Sequence, residues 1–560
     1  MLKHAGNLLI IVPSLVAGGG SRVVIAVAKG LNREYGWKNI YCVQGSHVPS
    51  NQTDWSPRLR PHCRAIVTLT DPEALVKFIE RHRISLIWGI GASLFWRSIE
   101  SIKHACPHVH IVDQHFNHVH LEKHRRLAQH ISHVVTCYPA LAEQVQTPAS
   151  TVWVGVPEKE KVHRLEFRAW KEKHQLRGLK PIVAFIGRFS PEKRPQWLVD
   201  IALQCKEVAT VVAAGEGELY DQVVQDNQER EGGVVFLGQM EEPRFLYQCA
   251  RVVIIPSAIE GLPNTMMEAI QFKRHVIITP VGGVPEWKHH PLVHVCEHSP
   301  RTFSDMVKQV IDAPAKSNCT FPDAWKMETM VAGYERVFSH FLPELMECVH
   351  YINLDRRRDR NAEFLSELKR YQAVSPRVQV NRFRAIECSR GEIGCGMSHL
   401  QVLKDCWAEC EQGTQEKWFT LMEDDFCWKM DPAAVKESLD MLVRSQAGWD
   451  VILFTASEWG FQCASEPCVK TRVGGFHKVS EAATTTGYIV KSAYLPVLIE
   501  NFQAAVDGLI NGGAYHTFAI DQFWKRLQKK DTWLFHRPGF ARQSESFSDI
   551  EKKVVNYNFY

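Results

Sequence analysis

The sequence has 16 cysteines among 560 residues, yet no two of them form a C-x-x-C pair and none are densely spaced. That absence excludes a zinc ribbon or a disulfide framework and points to buried free thiols in a reducing compartment. No run approaches the roughly 18 apolar residues that a membrane span needs. The N-terminal NLLIIVPSLVAGGG is short, lacks a weighty basic flank and runs into a Gly-rich turn, unlike a secretory signal. Repeats, low-complexity tracts and long disordered linkers are missing too, which excludes solenoids and flexible scaffolds. Charge of one sign is not dominant: 66 Lys and Arg stand against 62 Asp and Glu, for a net +4. The spread is uneven, with 19 basic and 11 acidic side chains in residues 1–164. A basic first third suits an anionic membrane surface or phosphorylated ligands. The expected location is cytoplasmic, at most peripheral on the inner face of a membrane, and nucleic acid is not an expected partner.

What the chain does have is alternation. NLLIIVPS, NIYCVQG, ISLIWGIG and HVHIVDQHF are apolar, β-rich runs separated by helical patterns such as SRVVIAVAKGLNREYG and EALVKFIERH. After a charged break near residues 158–180 the pattern restarts with PIVAFIGRF, TVVAAGEGE, VVFLGQ, RVVIIPS and HVIITP. Near-continuous apolar strands alternating with helices denote doubly wound parallel sheets, so the fold class is α/β. A new section opens at CVHYINLD and carries its own strands and helices to the end, with HTFAIDQFWKRLQ expected as one helix. So long a chain exceeds one core, and the expected domains are residues 1–165, 166–345 and 346–560.

Three loops of the first two domains belong together. AGGGS, with Gly18, Gly19 and Gly20, lets backbone N–H groups approach an anion at a helix start. GRFSPEKRP offers Arg188 and Lys193 just after a strand, able to clamp a diphosphate. EGLPNTMME places Asn264 where a helix N-cap is favoured and sets Glu260 and Glu268 on either side of it. One carboxylate could bind sugar hydroxyls while the other holds a ribose. In open α/β sheets such ligands bind beyond the carboxyl ends of strands.

In order, GGGSRVV, FIGRFSPEKRP, AAGEGE, VVFLGQ, PSAIEGLPNTMMEAI and TPVGGVPEW make residues 1 to about 345 resemble a family-4 glycosyltransferase of GT-B fold, a double Rossmann-like architecture. Glu260 and Glu268 stand at the two ends of that family's E-x7-E motif. The resemblance implies sugar transfer from a nucleotide diphosphate with retention of configuration and without a metal cofactor. It implies that Arg188 and Lys193 neutralise the leaving diphosphate, that Glu260 meets the donor sugar and Glu268 the ribose, and that the Gly18–Gly20 loop closes over the phosphates. His115, in VDQHFNH, falls where such enzymes keep a sugar-contacting histidine. One departure is GSR, which stands where an acidic residue is usual. His115, His118 and His120 form an H-x-x-H-x-H that can be read as zinc ligands, or as lining an acceptor groove.

In the last domain, WFTLMEDDF ends an apolar strand in Glu423, Asp424 and Asp425. Carboxylates clustered at the end of a buried strand are costly unless something positive sits there. A divalent ion, Mn²⁺ or Mg²⁺, bridging a nucleotide diphosphate meets that need; a solvated acidic turn is the other reading. VHYINLDRRRDR, RAIECSRGEIGCGMSHLQVLKDC, FTLMEDDF, TTTGYIV, AIDQF and QSESFSDIE together make residues 348–560 resemble the family-25 glycosyltransferases of lipooligosaccharide synthesis and collagen modification. That resemblance implies a GT-A-like fold and inverting transfer from UDP-galactose or UDP-glucose. Asp521 becomes the candidate base or acceptor contact, and Asp424, Asp425 and Glu423 the metal candidates. Asn353, with Arg356 or Arg360, would lie near the nucleotide. His399 is either a donor-site or a packed core residue, His536 could complete a metal sphere, and Cys395 reads as a packed thiol without a partner at metal spacing.

The combined expectation is a bifunctional glycosyltransferase that builds a cell-surface glycan, lipopolysaccharide or capsule on a glycan or glycolipid acceptor. Its alternatives are one active module beside a glycan-binding scaffold, and a collagen-like protein glycosyltransferase.

Overall fold

The computed structural model describes the chain apart from residues 1–5, 17, 51, 161, 241–242, 314–318, 412–416, 458–460, 545, 549–552 and 556–560. The run QSESFSDIE thus lies partly outside the described residues, as does Ala17 of AGGGS. Two compact units form, one from Leu8–Asn32 with Ile40–Phe338, the other chiefly from Ser339–Tyr560.

The first unit holds two parallel sheets. The first comprises β1 (Leu8–Val12), β2 (Ile40–Gln44), β3 (Ala65–Thr68), β4 (Leu86–Gly89), β5 (His110–His115), β6 (His133–Thr136) and β7 (Ala149–Thr151), in the order β3-β2-β1-β4-β5-β6-β7. The second comprises β8 (Ile182–Ile186), β9 (Thr210–Ala214), β10 (Val235–Phe236), β11 (Val252–Ile255), β12 (His275–Ile278) and β13 (Val293–Val295), in the order β10-β9-β8-β11-β12-β13. Every pairing in both is parallel. Helices cover both faces of such a sheet, so its strands must be apolar on both sides. LLIIV of β1 and VVII of β11 are accordingly buried at every position. Each sheet has its own core, with Leu9, Ile87 and Ile111 in one and Val183, Val211 and Ile277 in the other. Full burial of one such side chain contributes about 1.5–3 kcal/mol.

Strand order reverses between β1 and β4 in the first sheet and between β8 and β11 in the second. A crevice opens at each reversal, beyond the carboxyl ends. The Gly-rich turn follows β1, GRFSPEK follows β8, and EGLPN follows β11, so all three loops lie at these switch points. Helix Met327–Ser339 packs back on the first sheet, where Trp88 meets Tyr334 and Phe338 at 4.8 and 5.5 Å and Tyr334 Oη donates to Gln114 Oε1 at 2.6 Å.

The second unit is built on one mixed sheet. Its strands are β14 (Cys348–Asn353), β15 (Gln379–Arg384), β16 (Trp418–Glu423), then, after the side pair strand β17 (Phe426–Trp428), β18 (Val451–Leu453), β19 (Gln462–Cys463), β20 (Val469–Thr471), β21 (Gly474–Glu481), β22 (Gly487–Lys491) and β23 (Trp533–Arg537). β14 lies parallel to β15 and β16, whereas β22 runs antiparallel to β16 and β18. Helices Arg358–Gln372, Gly391–Glu411 and Leu495–Ile510 accompany it. The run HTFAIDQFWKRLQ, read as one helix, forms three single turns instead: Tyr515–Phe518, Ile520–Phe523 and Lys525–Gln528. Extended backbone at Ala519 ends the first turn, and the chain folds about Trp524, which is fully buried and donates its indole N–H to Ala482 O.

Candidate functional site

In the first unit the two glutamates of EGLPNTMME are each held by a cation. Lys193 Nζ, from the loop after β8, lies 2.5 Å from Glu260 Oε1, and Ser257 Oγ donates to the same oxygen at 2.7 Å. Arg22, from helix Gly19–Glu34, pairs with Glu268 Oε1, while Tyr247 Oη donates to Oε2 at 2.6 Å. Burial first, then the neighbouring Glu268 charge, pushes the Tyr247 phenol well above its ordinary value, so it stays a donor. Arg188 is placed differently from Lys193. Its side chain is 71% exposed and lies 3.5 Å from Glu192, outside the Glu260 pairing. Glu192 in turn accepts Ala258 N–H through its carbonyl at 2.7 Å, which ties the two loops together.

Helix Asn264–Gln271 is capped by Pro263, and Asn264 is its first residue, with no side-chain capping bond. The N-cap reading of Asn264 is therefore one position late, because the turn before it is closed by proline. A Cβ on Gly19 would lie 3.3 Å from Asn264 Nδ2, so the starts of these two helices face one another. Helix starts present N–H groups without intrahelical partners and a positive dipole end, which makes this meeting point suited to an anion. The loops around it approach too closely for side chains. A Cβ on Gly261 would strike Phe116 O, and one on Gly282, at φ +60°, would strike the carbonyls of Gly261 and Glu260.

His115 sits just before Phe116, but it is sealed in the core at 1% exposure. Its Nε2 lies 2.7 Å from Asp113 Oδ2; His124 Nδ1 lies 3.0 Å from the same oxygen, and His124 Nε2 meets Thr147 Oγ1 at 3.1 Å. Burial raises the Asp113 carboxyl, but both imidazole hydrogen bonds outweigh it and hold the group below its ordinary value. The H-x-x-H-x-H reading is corrected here. His118 is exposed and His120 half-buried, and the residues that converge are Asp113, His115 and His124. Strand period explains this: residues 113 and 115 share one face of β5, whereas His118 and His120 lie on the short helical turn His118–His120 beyond it.

The second unit gathers its carboxylates where β16 ends. Asn353, closing β14, donates to Asp424 Oδ2 at 2.7 Å, and Arg360 Nη1 reaches Asp424 Oδ1 at 3.1 Å and Asp425 Oδ2 at 3.5 Å. Arg360, not Arg356, is thus the partner; Arg356 is exposed, 3.8 Å from Glu387. Burial and then the Glu423 charge push the Asp425 carboxyl up to about 8, and its buried Oδ1 meets no donor. Asp424 is raised as well, by burial. Glu423 turns away from this pair: His399 Nε2 lies 3.1 Å from its Oε1, and Thr485 Oγ1 donates to the same atom. Burial raises Glu423, yet the His399 and Thr485 bonds prevail and hold it below the ordinary range.

Asp521 accepts from Thr484 N at 3.2 Å, and burial raises its carboxyl, with Glu423 adding to the effect. Thr484 has φ +91°, an unfavourable state for a β-branched residue. This strained Thr484–Thr486 run links Asp521 to Glu423. Cys395, read as lacking partners, lies with its sulfur within 4.8 Å of the ligand atoms of His399 and Glu423. His536 is corrected in the other direction. It is fully buried with both ring nitrogens engaged, by Thr471 Oγ1 at 2.9 Å and Pro538 O at 2.8 Å, and cannot serve a metal sphere in this arrangement. Sequence reasoning gave no role to Tyr247, which lies in no motif, nor to Ser257 and Thr485, which lie within PSAIEGLPNTMMEAI and TTTGYIV. Arg22 stood in the GSR departure and was the one legible signal.

Residues 180–313 match the family model described as Glycosyl transferases group 1. The chain is 30% identical over 96 residues to the GalNAc-alpha-(1->4)-GalNAc-alpha-(1->3)-diNAcBac-PP-undecaprenol alpha-1,4-N-acetyl-D-galactosaminyltransferase of Campylobacter jejuni, covering 16% of this chain and 27% of that protein. It is 27% identical over 172 residues to the alpha-maltose-1-phosphate synthase of Mycolicibacterium smegmatis, covering 29% and 44%. The chain thus spans less than half the length of these curated relatives. Among solved structures it is similar to Anabaena Alr3699/HepE in complex with UDP, at 16% identity and TM-score 0.47 over 60% of this chain and 95% of that one. A glycosyltransferase from Rickettsia africae gives 13% identity and TM-score 0.48 over 60% and 98%. Among the described residues, no helix is long and apolar enough to cross a membrane.

Proposed function

We propose that the chain is a glycosyltransferase using nucleotide-sugar donors, with one donor site in each unit. The observation that carries this reading is the meeting, at the switch points of two parallel sheets, of Lys193 with Glu260, Arg22 with Glu268, and two helix starts. The match over residues 180–313 spans two of these loops and supports it. In this reading the first unit is a GT-B transferase acting with retention. The diphosphate lies between the helix starts, where N–H groups and the Lys193 and Arg188 charges stabilise the leaving oxyanion. Glu260 holds the sugar and Glu268 the ribose. His115 contributes from beneath, as a support for the Phe116 loop.

The second unit is read as GT-A-like, inverting, and served by Mn²⁺ or Mg²⁺. The side chains present fit such an ion: two hard carboxylates at the end of a strand, one with a bare buried oxygen and both raised by burial. Asp424 and Asp425 would hold it, with Glu423 behind them, and a bound ion would neutralise a donor diphosphate. Asp521 then removes the proton of the incoming acceptor hydroxyl, a step its raised affinity for protons favours. Asn353 orients Asp424, and Thr485 orients Glu423. The donor is taken to be UDP-galactose or UDP-glucose, and the acceptor a cell-surface glycan such as lipopolysaccharide or capsule, reached by peripheral membrane contact. One observation favours a second reading, a C-terminal module that binds glycan without transfer: Arg360 already spans both carboxylates.

A panel of nucleotide-sugars incubated with the full chain, followed by chromatography of released nucleotide and product, tests the proposal. We expect turnover of at least one donor and its loss in Glu260→Ala. A chain that turns over none, or Glu260→Ala at parental rate on every donor, would refute it.

A further inference from the structure

Glu268 has no free oxygen. Tyr247, 2% exposed, holds Oε2, and Arg22, with a side chain 34% exposed, holds Oε1. The two partners differ in how readily they leave. Tyr247 is fixed in the second sheet's own layer, stacked with Phe272 at 5.5 Å. Arg22 comes from the other sheet, in the first turn of helix Gly19–Glu34, on a long flexible side chain that water already reaches. A ribose hydroxyl approaching Glu268 can therefore gain Oε1 by displacing the guanidinium, whereas Oε2 stays with the phenol.

A displaced guanidinium needs a new partner, because a part-buried charge left alone is costly. A suitable place is the start of its own helix, where Gly19 faces Asn264. That is also where a diphosphate would lie, and a guanidinium binds phosphate oxygens in bidentate fashion. We propose that Arg22 exchanges partners when donor binds: it holds Glu268 in the free chain and passes to the diphosphate as the ribose takes Glu268 Oε1. This rests on the donor-site reading of the first unit and deepens it. The exchange is non-covalent, one ion pair for another. It makes ribose recognition conditional on phosphate recognition. A nucleoside without phosphates must break the Arg22–Glu268 pair and offers the guanidinium nothing, while a nucleoside diphosphate replaces what it breaks.

The test is isothermal titration of the full chain with UDP, GDP, ADP and CDP and with the matching nucleosides. EDTA is present throughout to silence the carboxylate site of the other unit. Parent, Arg22→Met and Arg22→Gln are compared, with thermal melts to confirm folding. The parent should bind one diphosphate at least tenfold more tightly than its nucleoside. In both variants the nucleoside should bind as well as in the parent or better, the diphosphate should weaken, and the ratio should shrink at least tenfold. Equal shifts for both ligands would make Arg22 a mere structural bracket and overturn the exchange. Undiminished diphosphate binding in the variants would also overturn it, since the guanidinium would then never reach the phosphates. A parent that binds no diphosphate would instead remove the donor-site reading itself, before any substitution is made.

Discussion

In the unit of parallel sheets, Glu260 and Glu268 each face a full positive charge, Lys193 and Arg22. In the unit of the mixed sheet, three consecutive carboxylates share one guanidinium and one imidazole, and Asp425 Oδ1 is left bare. The first arrangement carries its own counter-charges, which a diphosphate can borrow. Among the described residues the second pairs three carboxylates with fewer cations. It suits a bound cation better than it suits an empty cleft, because uncompensated buried carboxylates are costly. Under the proposed function the two units would solve one problem, holding a pyrophosphate beside acidic side chains, by different means.

Substitutions can break this comparison. Glu260→Ala removes the partner of Lys193 and the proposed sugar contact; we expect roughly a thousandfold loss in the first unit's transfer rate, with the second unit's product unchanged in a donor assay. Asp425→Ala should have the opposite selectivity, lowering the second product at least about a hundredfold and leaving it insensitive to added Mn²⁺. Loss of both products in either variant, with folding intact, would show that the sites are not independent.

Stability offers a further contrast. His536 in the mixed-sheet unit is buried, and that burial pulls its imidazole down to about 4. Between its ordinary value near 6.5 and 4 the unfolded chain binds a proton that the folded chain refuses. Stability therefore falls as pH drops through that window, by on the order of 3 kcal/mol in all. Denaturant melts of His536→Phe should show a flatter acid slope; an unchanged slope would place the acid sensitivity elsewhere. The smallest effect is expected at Gly282, where φ is +60° and two carbonyls crowd the missing Cβ. Gly282→Val should cost about 1–3 kcal/mol in thermal melts and slow only the first unit's product.

Much of this was legible in the sequence where local chemistry and periodicity coincide. LLIIV, VVII and the loops that follow them could be read as parallel strands leading to switch points, because strands buried on both faces leave no polar alternation. Glu260, Glu268 and Lys193 stand out in the sequence by their loops after apolar strands and by the E-x7-E resemblance. Long-range partners do not: Arg22 and Glu268 are 246 residues apart, and no spacing rule connects them. Asp113 carries no motif of its own, although the period of two along β5 puts it on the same face as His115. HTFAIDQFWKRLQ misled by its helical pattern, since burial of Trp524 overrode local propensity. His536 looked like a ligand because sequence does not reveal that Thr471 and Pro538 occupy both ring nitrogens.

Under the proposed function the chain neutralises pyrophosphate twice, once with basic side chains and once with a divalent ion. This is tested most directly by assaying transfer by the intact chain across an EDTA titration, with products resolved by mass spectrometry. Two sugar-transfer products are expected, one persisting in full at excess EDTA and the other disappearing and returning with Mn²⁺ or Mg²⁺. Two products that vanish together, or two that both survive chelation, would contradict it.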